Sequence, residues 1–182
     1  MSELAVHPTE IDGCYVVDLV VLDDADRRGA SFREAYQAEK MRALGLPEFQ
    51  PVQMNVAESP AGTLRGIHAE PWEKFIHVVH GEAFAAIVDV RPGSPTAGHV
   101  WQGRLDRTRA LFVERGLGNS YQAVSELVVY SYLVNEHWQP GVQYPAVRWD
   151  DPQLAIDWPI TDERLQLSEK DRRNPSVAEL LG

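Results

Sequence analysis

The chain has 182 residues, 44% of them hydrophobic, with 27 acidic against 17 basic side chains and a formal net charge of −10; this is material for one ordinary core and too little for a second full domain. The acidic balance excludes general nucleic-acid binding, which needs clustered Lys and Arg, and a single cysteine, Cys14, excludes an intrachain disulfide or a site built on several thiolates. Met1 to Gly13 lacks a basic stretch followed by an apolar core, and no run approaches the roughly 18 apolar residues that span a bilayer, so a soluble, cytoplasmic chain with no membrane partner is expected.

Tyr15 to Leu22 is rich in β-branched residues and is predicted as a strand, followed by a polar loop from Asp23 to Arg28 that ends at Gly29. Phe32 to Leu44 holds good helix formers without internal Gly or Pro, which predicts a helix stopped by Gly45 and Pro47. A strand is predicted from about Val52. Strands at Lys74–Val79 and Glu82–Val90 flank His80-Gly81, read as a tight hairpin turn, and Arg91 to Pro95 is a further turn. Further strands are predicted at His99–Leu105, Ala110–Val113, Ser120–Val124 and Leu127–Val134. This is a mainly β chain with a few short helices, a sandwich or barrel able to enclose a small-molecule cavity. Beyond Pro140 the sequence turns proline-rich and charged, so residues 140–182 are expected as a tail packed on the β core of one domain spanning 1–182, with a short helix near Val177–Leu181.

Chemistry-bearing residues are scattered. Arg65 and His68 lie three apart on a predicted strand and would face opposite ways, so a bulge or turn at Gly66 is needed for both to reach one cavity. Lys74 begins an apolar strand, where a solvated strand end is the ordinary reading and a cation at a cavity mouth the functional one. Tyr130 and Tyr132 share a strand face, usually a sign of core packing. Asp171 sits in a charge run that by itself reads as surface. A metal site has little to build on: His68-Ala69-Glu70 lacks the paired histidine of metal-binding cupins, and Asn119 stands where a third ligand would be. Neither a dinucleotide fingerprint nor a P-loop is present.

In order along the chain, these segments resemble one family. Arg28-Gly29-Ala30-Ser31-Phe32-Arg33-Glu34, Gln53-Met54-Asn55, Gly62 to His68, the block from Gly81 through Asp89 to Thr96, Trp149 to Asp151, Ile156 to Pro159 and Leu167 to Asp171 are similar to the motifs of the dTDP-4-dehydrorhamnose 3,5-epimerases over nearly the whole chain. The resemblance implies a cupin-like β sandwich or jelly roll, a homodimer, and a pocket that uses no metal or other cofactor on a dTDP-linked 4-keto-6-deoxy sugar. It implies His68 as base, Asp171 as the carboxylate that orients it, Tyr132 as the acid on the opposite face and Lys74 beside the developing enolate. Arg28, Glu34, Gln53, Asn55 and Arg65 resemble the groups that hold the nucleotide and diphosphate, Phe32 an aromatic lining that region, and Lys170 belongs with the substrate-binding set.

The chemistery of that set is self-sufficient. A hydrogen next to a ketone is acidified, so an imidazole removes it once the enolate oxygen meets a cation, and a phenol returns a proton. Three departures bear on substrate choice: a shortened loop from Ala69 to Glu73, Asn119 where the family commonly has a substrate-contacting histidine, and Trp138 and Gln143 where tyrosine and glutamate are frequent. Epimerisation of C3 and C5, or of one of them, is the expected activity. A non-catalytic sugar-nucleotide binding protein is the alternative from another class; a metal-dependent cupin is the third.

Overall fold

The computed structural model describes residues 3–182 as two facing antiparallel sheets with short helices outside them. In chain order the elements are β1 (Ala5–Pro8), β2 (Cys14–Asp18), β3 (Leu22–Asp23), β4 (Ser31–Phe32), α1 (Ala38–Ala43), β5 (Gln53–Pro60), β6 (Leu64–His68), β7 (Lys74–His80), β8 (Ala83–Asp89), β9 (Val100–Leu105), β10 (Arg109–Val113), β11 (Leu117–Ala123), β12 (Leu127–Val134), α2 (Glu169–Arg172) and α3 (Val177–Leu181). The larger sheet has the order β1-β2-β10-β7-β12-β5 and the smaller β6-β11-β8-β9. This is the cupin-like sandwich that the sequence implies, with sheets that do not close into a barrel.

Alternation along each strand sends one set of side chains between the sheets. Ile76, Val78, Ala85, Ile87, Leu111, Val113 and Val128 form the central apolar cluster. The opposite face of the larger sheet is covered by the α1 region, where Met41, Leu46 and Phe49 pack on Phe75 and Phe112. That cover explains why β7 reads as one apolar run: both of its faces are buried. The tail covers the smaller sheet in turn, with Val147, Leu154 and Val177 on Ile67 and Val88, and Trp158 on Leu64 and Phe84.

Three local expectations are corrected. The helix predicted at 32–44 is cut to Ala38–Ala43: Ser31 and Phe32 pair with β3, and the Arg33 guanidinium donates to the Val78 carbonyl at 2.7 Å, so tertiary bonds outweigh helix propensity in the first half. His80-Gly81 is no hairpin, because β7 pairs with β10 and β12 whereas β8 pairs with β9 and β11. Gly81 instead turns the chain from one sheet to the other, its φ of 82° bringing it against the Leu127 carbonyl. The strand expected at Tyr15–Leu22 ends at Asp18 and is paired on both sides, so it has no free edge to offer a partner; the sheet's outer strands are β1 and β5.

Candidate active site

One end of the sandwich is not filled by apolar side chains and opens into a cavity of about 630 Å³. Its two walls come from the two sheets. Gln53 and Asn55 (β5), Lys74 (β7) and Tyr130 and Tyr132 (β12) line it from the larger sheet, and Arg65 and His68 (β6) with Asn119 and Tyr121 (β11) from the smaller.

The parity problem of Arg65 and His68 is solved by a bulge. Asn119 pairs with His68 and Tyr121 with Arg65, so three steps along β6 oppose two along β11. The extra residue turns both side chains to one side. Gly66, at φ 125° and too close to Ser120 to carry a Cβ, is the residue that permits it.

Beyond β6 the tail takes the place of a further strand. Gln166 bridges to Thr63 and Ala146 to His68, and Ile67 and Val147 exchange backbone bonds at 3.4 and 3.0 Å. This docking brings α2 under the histidine. Ser168 caps α2 by accepting from the Asp171 amide at 3.1 Å, and the Asp171 carboxylate meets His68 Nε2 at 2.7 Å. Asp171 is 5% exposed. Burial alone would push its carboxyl up, but the bond and charge of His68, with Ser168 and the Gly66 backbone, hold it below the ordinary value.

On the other wall Lys74 is buried, and its ammonium donates to the Glu70 carboxylate and lies 5.4 Å from the Tyr132 ring centroid. Burial lowers its pKa, and the charge and bond of Glu70 oppose that. The Tyr132 phenol is pushed up to about 12, first by burial and then by the charge of Glu70. It therefore keeps its proton throughout the neutral range. Below it Tyr130 and Tyr121 stack at 3.8 Å, and the Tyr121 hydroxyl bonds Ser59 at 2.9 Å. Among the described residues no group of three or more His, Cys, Asp or Glu side chains is placed to hold a metal ion.

The dTDP-4-dehydrorhamnose 3,5-epimerase family model matches residues 8–179. The chain belongs to that family, whose members are isomerases of the epimerase class. It is 40% identical over 181 residues to the protein RmlC homolog of Streptococcus pyogenes serotype M6, covering 94% of this chain and 88% of that one. It is 34% identical over 180 residues to a dTDP-4-dehydro-6-deoxyglucose 3-epimerase of a Streptomyces species, covering 95% and 89%. The RmlC of Streptococcus suis, solved in complex with dTDP-D-xylose, superposes with a TM-score of 0.90 at 37% identity, covering 98% of this chain and 94% of that chain.

Within this epimerase-family cavity, ten of the fourteen site residues expected from the sequence come together: His68, Asp171, Lys74, Tyr132, Gln53, Asn55, Arg65, Asn119, Trp138 and Lys170. Gln53 donates to Asn55 at 2.7 Å and accepts from the Trp138 amide at 3.1 Å, which fixes that corner. The other four lie elsewhere on the protomer. Gln143 is exposed and turned back on the Gly141 carbonyl at 3.4 Å. Arg28 is exposed in the turn between β3 and β4, Phe32 is 64% exposed, and Glu34 accepts from Lys40 at 2.5 Å. Phe32 and Glu34 line a separate cleft with Leu22 and Met41.

Sequence reasoning missed Glu70, Trp72, Tyr121 and Tyr144, all of which line the cavity. Tyr144 lies 5.8 Å from the His68 ring and 5.4 Å from the Lys170 ammonium. Glu70 carries no signal of this in the sequence: a spacing of four from Lys74 pairs side chains on a helix, and here it spans the loop that leads into β7.

Proposed function

We propose that this chain epimerises a dTDP-linked 4-keto-6-deoxy sugar at C3, C5 or both. His68 removes the proton next to the C4 ketone, the electron pair moves onto the ketone oxygen beside the Lys74 ammonium, and Tyr132 delivers a proton to the same carbon from the opposite face. Asp171, ionised and bonded to His68, favours the imidazolium that forms. The observation that carries the reading is the opposition of the two walls: the His68–Asp171 pair belongs to the smaller sheet and tail, Tyr132 and Lys74 to the larger sheet. Inversion needs a base and an acid on opposite faces of one carbon, and a binding protein does not.

The test is proton exchange in deuterium oxide on dTDP-4-keto-6-deoxyglucose, followed by NMR at C3 and C5. Exchange that vanishes in His68→Ala, with altered product stereochemistry or rate in Tyr132→Phe, is expected. Binding of the nucleotide sugar without exchange at either carbon would leave a sugar-nucleotide binding protein. The neutral Asn119 and the short Ala69–Glu73 wall alter the surroundings of the sugar and keep a second reading, inversion of C3 alone or of C5 alone, which the same spectra separate.

We also propose a homodimer. On the outer strand β5, Met54 and Val56 alternate with the cavity-facing Asn55 and Ala57 and are 62% and 55% exposed, and Phe32 and Leu22 add exposed apolar surface. Arg28, Phe32 and Glu34, absent from the protomer's own cavity, would then serve the nucleotide end of a second copy's site. A monomeric mass by light scattering at micromolar concentration refutes the dimer. Co-expressed Arg28→Ala and His68→Ala chains should recover exchange that neither shows alone.

A further inference from the structure

We propose that Glu70 is a positioning residue for Lys74, its carboxylate holding the buried ammonium charged and aimed at the ketone oxygen of the substrate.

Lys74 and Glu70 side chains are 6% and 12% exposed, and the two groups are in direct contact. The backbone around Glu70 is fixed from both sides: its carbonyl accepts from Gly116 at 2.9 Å, and the Ala69 amide donates to Pro145 at 2.8 Å. The backbone that carries the carboxylate is therefore held in place, four residues before the lysine, in the short loop between β6 and β7. A lysine buried this far sheds its proton readily unless a carboxylate compensates it, and a neutral amine loses the charge that stabilises an enolate.

No other carboxylate can do this. Asp171 is bonded to His68, and Glu73 accepts from Asn135 and Arg115. The remaining titratable groups around the cavity are Arg65 and His68 from β6, Tyr121 from β11, Tyr130 and Tyr132 from β12, and Tyr144 and Lys170 from the tail. The cations among them disfavour a charged Lys74, and burial raises the Tyr130, Tyr132 and Tyr144 phenols, so these supply no negative charge at neutral pH. Burial lowers the Lys74 pKa and Glu70 acts against it; Glu70 also raises the Tyr132 and Tyr144 phenols, second to burial in each. One carboxylate thus favours the protonated form of both the cation and the acid on its wall.

Glu70 has this task only if Lys74 meets the enolate as proposed above, but its effect on the ammonium is measurable without substrate. The chain has three lysines, Lys40, Lys74 and Lys170, so selective 13C-lysine labelling gives a readable Cε titration, assigned with Lys74→Arg. In Glu70→Gln the Lys74 midpoint should fall by about one pH unit or more, and the alkaline limb of the exchange rate should move down with it. Glu70→Asp, which keeps the charge, should lie nearer the wild type. An unmoved Lys74 midpoint in Glu70→Gln overturns the proposal. If that variant does not fold, the 13C carboxyl signal of Glu70 in the wild type must step at the Lys74 midpoint, and its failure to do so overturns the proposal equally. A shifted midpoint in a protein that exchanges no substrate proton supports the Glu70–Lys74 coupling and removes the epimerase reading.

Discussion

Replacing Gly66 with alanine asks whether the bulge in β6 is what brings an arginine and a histidine three residues apart into one cavity. Gly66 has a φ of 125°, and a Cβ there would stand 2.4 Å from Ser120 Cβ, 2.8 Å from the Asn119 carbonyl oxygen and 2.8 Å from Ser120 Cα. Two of these three are backbone atoms of β11, which is held along its length by β8, so the neighbour has little room to retreat. The backbone conformation costs a non-glycine residue about 1–3 kcal/mol, and overpacking adds about 1–3 kcal/mol. The sum, roughly 2–6 kcal/mol, is a large part of the about 5–15 kcal/mol that holds a typical domain together. Urea unfolding should show a strongly lowered midpoint, and the folded fraction should lose proton exchange together with part of its nucleotide binding, because the bulge aims both His68 and Arg65. Gly118→Ala is the control: it meets the buried Ile67 Cγ2 methyl at 2.7 Å, so it too is overpacked, but its backbone does not lie at positive φ, so the conformational part of the Gly66 cost should be missing and its effect smaller. A Gly66→Ala protein with the wild-type midpoint and exchange rate would refute the account of the bulge.

Asp171→Asn keeps the shape of the His68 contact and removes the charge, so exchange should fall by roughly 10²–10⁴-fold with little change in KM; a rate near wild type would detach Asp171 from the base. At the turn between β8 and β9, Asp89 is fully buried, and although burial pushes its carboxyl up, bonds from Arg91, Ser94 and Thr96 hold it far below the ordinary value. A depressed carboxyl stabilises above its unfolded pKa and ceases to as pH falls through the folded one. Asp89→Asn should thus cost about 3–5 kcal/mol at pH 7, and the gap should begin to narrow below about pH 4, as urea titrations at several pH values would report. The Asn119 amide oxygen is buried at the cavity wall without a hydrogen-bond partner among the described residues. Asn119→Ala should raise KM about tenfold, the worth of one hydrogen bond to substrate, while leaving the unfolding midpoint nearly unchanged.

The β core was legible because its information is local: β-branched runs of strand length separated by turn residues mark β5 and β7 to β12 to within a few residues. What failed depended on partners distant in sequence. Nothing near Phe32–Tyr36 announces that Arg33 will bond the end of β7 and hold that stretch out of the helix. The His80-Gly81 turn shows that the chain reverses but not that it changes sheet. At the site, period two put Arg65 and His68 on opposite faces, and only the unequal count across the β6–β11 pairing reverses that. Family resemblance named ten residues that the fold gathers, yet it passed over Glu70, whose importance lies in burial and in contact with Lys74. It also named Arg28, Phe32, Glu34 and Gln143, which this protomer does not bring to its own cavity.

The cavity's charges divide in a way that fits a diphosphate on a protein of net charge −10. Each of its two carboxylates is already engaged, Glu70 by Lys74 and Asp171 by His68. Arg65 and Lys170, by contrast, have exposed side chains and make no ion pair among the described residues, so they supply positive charge that the protein has not spent internally. Phosphates draw such cations by charge-assisted bonds worth about 1.5–3 kcal/mol each. Arg65→Gln should therefore weaken dTDP binding by about 10- to 150-fold and flatten its salt dependence, while the rate at saturating substrate stays close to wild type. If the variant instead lost rate at saturation and bound dTDP normally, Arg65 would belong with His68 at the sugar, and the cavity's free cation for the diphosphate would have to be Lys170.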